Sequence, residues 1–141
     1  MGEFTLLDHT ADVAISASGD SLAEAFAWLA AGMFSLIVDH ETVASSQCQR
    51  LSVTSRDRET LAVDWLNELL YRYETTGFLP KEFRLSLAEG EAGLDAICLG
   101  DQFDPARHRI LTVVKAATYH QLSVLRLNDD GRWRVHVVLD L

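Results

Sequence analysis

The stretch Asp12-Val13-Ala14-Ile15-Ser16-Ala17-Ser18-Gly19-Asp20-Ser21-Leu22-Ala23-Glu24 holds a change of period. Val13, Ile15 and Ala17 share one parity, and Asp12, Ala14 and Ser16 share the other. Successive strand side chains point to opposite faces, so this is the pattern of a half-buried strand. Gly19-Asp20 breaks the alternation. Ser21 and Glu24 then form a capping box, in which a Ser hydroxyl accepts from an exposed helix amide and Glu reaches back. Beyond it Leu22, Ala25, Phe26, Leu29, Ala30, Met33, Phe34 and Ile37 recur at three- and four-residue spacing, which predicts a helix to about Val38. Trp28 lies off that stripe, and the stripe itself reads as core packing.

A strand followed by a helix needs further strands, and the far end of the chain supplies one. Trp133, Val135, Val137 and Leu139 alternate with Arg134, His136, Val138 and Asp140. Asp12 and Asp140 therefore both sit off the apolar parity of their strands. If the two strands are neighbours, two carboxylates and the last residue, Leu141, meet at one sheet edge. Two readings stand at this point: solvated acids at strand ends, or oxygen ligands for a hard cation such as calcium, magnesium or manganese.

The middle of the chain fills in the inventory. Glu3–Leu7 reads as a first short strand, and 39–49 as a polar loop. Leu51 and Val53 alternate with Ser52 and Thr54. Asp57 is placed to cap a second helix from about Arg58 to Thr76, and Gly77 to stop it. Its inward stripe is Leu61, Trp65, Leu66, Leu69, Leu70 and Tyr73. Asp57, Glu59, Asp64 and Glu68 make an acidic cluster, either a solvated face or a partner-binding one. After Pro80 the chain turns strand-like, with runs at Phe83–Leu87 and Leu94–Leu99. The polar loop after Gly100 carries Asp101, Asp104 and His108, and His108 is either a ligand or held by Asp104 or backbone.

Ile110–Tyr119 is apolar on both parities, the pattern of a central strand covered on both sides. Lys115 inside it needs a carboxylate partner or a route to solvent. Gln121–Leu127 and Trp133–Leu139 flank Asn128-Asp129-Asp130-Gly131, which reads as a hairpin. Two helices and about seven strands predict an α+β fold. We expect one two-layer domain over residues 1–141, with both helices packed on a mixed or antiparallel sheet.

Of the 141 residues 48% are apolar, which suffices for a packed core. The net charge is −9, with 21 acids against 12 bases and no basic stripe, so direct nucleic-acid binding is disfavoured. No apolar run reaches the ~20 residues that span a membrane. The N-terminus shows no secretory pattern, and a cytoplasmic protein is expected. Cys48 and Cys98 read as reduced thiols rather than a disulfide, and no zinc spacing occurs. A glycine-rich phosphate loop, a nucleophile elbow and a zincin signature are all missing.

Five pieces in order carry a further signal: His9-Thr10-Ala11-Asp12, Trp65-Leu66-Asn67-Glu68-Leu69-Leu70-Tyr71, the Gly100…Asp104…His108 loop, Lys115-Ala116-Ala117-Thr118-Tyr119-His120, and Val138-Leu139-Asp140-Leu141. In these, and in length and acidity, the chain resembles the archease family. The resemblance implies a non-enzymatic protein cofactor of an RtcB-type RNA ligase. Such a ligase joins tRNA halves or other broken RNA ends through a guanylate drawn from GTP, with divalent metal. The cofactor would promote that guanylylation and multiple turnover, without contacting RNA itself. The resemblance also implies a metal site on Asp12, Asp140 and Leu141, the last through main-chain or terminal oxygen. Calcium is the expected occupant, with magnesium or manganese as alternatives, and His9 and Lys115 stand nearby as supporting groups.

This sequence departs from the family pattern at Ala14, where glycine is common, at Leu141, where isoleucine is usual, and at Ala117, where valine is common. A main-chain ligand is indifferent to Leu against Ile. Two rival functions remain. One is a chaperone or specificity modulator of RNA-modifying enzymes such as tRNA methyltransferases. The other is a stand-alone metal-dependent hydrolase with His9 as general base.

Overall fold

The computed structural model describes residues 2–8, 11–127 and 131–141. It contains strands β1 (Glu3–Asp8), β2 (Asp12–Gly19), β3 (Gln47–Thr54), β4 (Phe78–Leu87), β5 (Gly93–Gln102), β6 (Ala116–Arg126) and β7 (Trp133–Asp140), with helices α1 (Leu22–Ile37) and α2 (Arg58–Thr76). The expected α+β inventory is borne out. The strands, however, divide into two sheets rather than one, ordered β1-β2-β7-β6 and β3-β5-β4, and every pairing is antiparallel.

Local chemistry sets the helix ends. Ser21 Oγ accepts from the Glu24 amide at 3.1 Å, and Glu24 Oε1 accepts from the Asp20 amide, one residue ahead of the cap. Asp57 Oδ1 accepts from the Thr60 amide at 2.7 Å. Gly77 ends α2 with φ +77°, the left-handed conformation that glycine adopts without strain. Gly100 is required for a different reason. A Cβ there would lie 2.0 Å from the Leu79 carbonyl oxygen, where β4 crosses β5 at the irregular Pro80–Glu82 step.

The inward face of the first sheet is Ile15, Ala17, Val135, Val137 and Leu139, all fully buried. Phe26, Leu29 and Met33 of α1 and Leu61, Trp65 and Leu66 of α2 complete a single core with Leu94, Ala96 and Cys98 of the second sheet. Full burial of each large apolar side chain contributes about 1.5–3 kcal/mol. Trp28, off the stripe, packs at the margin against Phe4 with ring centroids 6.4 Å apart.

Polar side chains of α2 cover one edge from each sheet. Asn67 donates to the Ala117 carbonyl at 3.2 Å and accepts from the Ala117 amide at 2.8 Å, as a neighbouring strand would on β6. Arg72 donates to the Arg50 carbonyl on β3 while pairing with Glu68 at 2.9 Å. The acidic cluster is thereby absorbed into the fold: Asp57 caps, Asp64 accepts from Ser55 at 2.6 Å, and Glu68 holds Arg72.

One expectation is overturned. Ile110–Tyr119 is not a central covered strand. Only its end belongs to β6, which is an outer strand, and 110–115 runs outside both sheets. Ile110 bridges to Val38, Leu111 N–H donates to the Ile37 carbonyl, and Leu111 and Val113 are 51% and 71% exposed. The segment carries the chain from the end of α1 to the end of β7, and among the described residues its backbone is held only near its two ends, at Ile37 and Val38 and at Asp140. Lys115 is accordingly exposed rather than buried.

β6 and β7 do pair as a hairpin, although Asn128, Asp129 and Asp130 of its turn lie outside the described residues. Cys48 and Cys98 are free, and burial pushes the Cys98 thiol up to about 12. No described helix is long and apolar enough to cross a membrane.

Candidate metal centre

β2 and β7 are neighbours, and Asp12 stands directly opposite Asp140 in their register. Val13 opposite Leu139 and Ile15 opposite Val137 fill the inward face. The period of two therefore places both carboxylates on the outward one. Like charges directly across a strand pair repel by roughly 0.2–1 kcal/mol. The fold nonetheless fixes both residues firmly. Lys115 N–H donates to the Asp140 carbonyl at 2.8 Å, Leu141 N–H donates to the Ala11 carbonyl at 3.2 Å, and Ala116 stands opposite Asp140 on its other side.

Asp12 Oδ1 is buried and has no hydrogen-bond partner among the described residues. A buried carboxylate oxygen without a donor is costly, because the oxygen has given up water and gained nothing. Asp140 is exposed, while Leu141 is half-buried and packs against the core. The described residues contain no cluster of three or more His, Cys, Asp or Glu at ligating distance. A cation here would be held by two carboxylates, main-chain oxygen and water, a hard oxygen set that fits calcium, magnesium or manganese. Lys115 reaches this edge through its backbone amide, and its ammonium makes no ion pair among the described residues. His9, the other residue singled out from sequence, lies outside the described residues.

The second acidic locus contrasts with the first. Asp101 is 3% exposed. It accepts from Arg107 Nη1 at 2.7 Å and Nη2 at 3.2 Å, from the Gln102 and Ala44 amides, and from Ser46 Oγ. The Arg107 hydrogen bonds hold its carboxyl well below the usual carboxylate range, and the Ala44 and Gln102 amides reinforce the effect. His108 Nδ1 accepts from the Asp104 amide at 3.0 Å, so the neutral ring carries its proton on Nε2. That nitrogen lies 3.2 Å from Asp101 Oδ2 but off hydrogen-bonding geometry, an electrostatic approach rather than a formed bond. His108 is thus held by the backbone at Asp104, one of the two readings left open from sequence.

The i,i+4 spacing of Glu68 and Arg72 predicts their pairing, which is observed, whereas sequence reasoning missed Asn67 and Asp101 as organisers. The available signal was faint: a lone amide between Leu66 and Leu69, and an acid closing an apolar run.

Residues 4–141 match the model of the archease protein family (MTH1598/TM1083). The chain is similar to "Protein archease" of Methanosarcina acetivorans, with 38% identity covering 99% of this chain and 96% of that one. It is similar also to "Protein archease" of Pyrococcus furiosus, with 34% identity and full coverage of both. Among solved structures, the solution structure of Methanobacterium thermoautotrophicum protein 1598 superposes with a TM-score of 0.81. The two are 34% identical, and 99% of this chain and 98% of that one are covered.

Proposed function

Because this chain belongs to the archease family, we propose that it is a protein cofactor in RNA processing that activates an RtcB-type RNA ligase. In this reading it binds a divalent cation through Asp12, Asp140 and main-chain oxygen of Leu141. It acts in the cytoplasm, in tRNA splicing or RNA repair, and itself makes and breaks no bonds. Its role is to promote guanylylation of the ligase from GTP and so permit repeated ligation.

The observation that carries this proposal is the orphaned, buried Asp12 Oδ1 set directly across from Asp140. A bound cation would turn a repulsive pair into two ligands and give that oxygen a partner. The net charge of −9 favours a basic protein over RNA as the surface it meets. Calcium is the occupant we expect first, with magnesium and manganese chemically equivalent in donor preference.

The test mixes the purified chain with an RtcB-type ligase, GTP, manganese and broken RNA, and counts ligations per ligase molecule. The expected result is a rise from single to multiple turnover that is lost in Asp12→Ala and Asp140→Ala while both variants stay folded. Unchanged turnover with wild type would overturn the activator role. Full activation by both variants would overturn the site.

A further inference from the structure

The segment 111–115 is at odds with its own sequence. Ile110-Leu111-Thr112-Val113-Val114 is apolar on almost every position, the composition of a strand covered on both faces. Yet exposure alternates along it. Leu111, Val113 and Lys115 are exposed, while Val114 between them is 3% exposed. That period of two is strand-like, with one side down on the core and the other side open. The segment is also tethered like a strand, by Leu111 N–H to the Ile37 carbonyl and by Lys115 N–H to the Asp140 carbonyl. Between those tethers the amides of Thr112, Val113 and Val114 have no acceptor among the described residues.

A groove of about 400 Å³ runs beside it, walled by Tyr73, Phe103 and Ile110, with Glu74 at its side. An unpaired strand with outward apolar side chains and free amides is a template for another strand. The exposed acid Glu74 borders the groove and the exposed Lys115 ends the template, so charge selects the occupant.

We propose that 111–114 is a docking strand onto which an extended segment of the protein partner adds by β-pairing. That segment is apolar at alternate positions, to meet Leu111 and Val113. It carries Lys or Arg where it passes Glu74 and an acid where it passes Lys115. This inference deepens the cofactor reading and rests on it. It assigns the contact that brings the partner to the Asp12–Asp140 edge.

The test is amide hydrogen exchange on the full chain, with and without saturating ligase, alongside the turnover assay. Leu111 and Lys115 direct their amides to this chain, so the open edge presents those of Thr112 and Val114. The expected result is exchange at these two slowed about 100-fold in the complex. Val113→Asp, at a 71% exposed position, should weaken binding at least about tenfold with unchanged melting and unchanged cation response. Val113→Ile should bind as wild type.

Activation with those amides unprotected would overturn the docking strand and leave the cofactor reading intact. Wild-type affinity in Val113→Asp would do the same. Protection that rises with the concentration of this chain alone would assign the strand to a second copy and overturn the proposal. Absence of both complex and activation with wild type would overturn this inference and the cofactor reading together.

Discussion

Asp101 and Asp12 are both acids drawn out of water, and the fold treats them in opposite ways. Asp101 has two guanidinium contacts, two amides and a hydroxyl around it. Asp12 has a buried oxygen with no donor among the described residues and another carboxylate across the strand. A carboxylate surrounded by the chain's own donors serves the structure. One left without them is where the proposed cation would supply the partner.

The contrast can be broken or sharpened by experiment. The largest effect is expected at Asp101. Asp101→Ala strips Arg107, Ser46 and two amides of their shared acceptor and should give the greatest fall in thermal midpoint of any variant here. Asp12→Ala, measured beside it without divalent cation, should show no such fall. Equal losses would erase the distinction.

Cation linkage comes next. Binding to the folded state alone stabilises by about 2.7 kcal/mol at a hundred times Kd. Titration calorimetry and melting with calcium or manganese should show this in wild type and lose it in Asp140→Ala.

Asn67→Ala should cost about 1–3 kcal/mol in chemical denaturation, because both backbone groups of Ala117 lose their partner. Asn67→Asp should fail as well, since it keeps an acceptor and removes the donor.

Acid should act through Asp101. Its carboxyl is depressed in the folded state, chiefly by Arg107, so its stabilisation is present above the unfolded value near 4 and is lost as pH falls below it. Melting followed from pH 5 downward should decline, and Arg107→Gln should flatten the decline. The smallest effect is relief of repulsion. Asp12→Asn without cation should gain roughly 0.2–1 kcal/mol.

What the sequence made legible follows from period. Parity put Asp12 and Asp140 each off the apolar face of its strand, because strand side chains alternate, and the structure supplies the condition that the two strands are neighbours. The helix limits at Ser21, Asp57 and Gly77 were legible because caps are local hydrogen-bonding chemistry. The division of seven strands into two sheets was not, since strand partnering is set by contacts far apart in the chain. Asn67 and Asp101 were equally hidden. Asn67 bonds a backbone group 50 positions away, and Asp101 joins the nearby Arg107 to an amide 57 positions away. A backbone group leaves no mark in sequence. At 110–115 the composition was read correctly and the surroundings were not. The apolar run is there, and among the described residues no strand pairs along it beyond its contact with Asp140.

The central position of β7 has a consequence for how the molecule comes into being. β7 is the only described strand that pairs with both β2 and β6, and it joins residues near position 12 to residues near position 140. On a ribosome adding roughly 5–20 residues per second, β2 therefore waits with one edge bare until residues 133–140 emerge. Its aspartate faces no counterpart during that wait. The Asp12–Asp140 pair cannot form before residues 133–140 have joined β2. Whatever meets that pair meets two distant stretches of chain already brought together, so the juxtaposition reports that this sheet has closed.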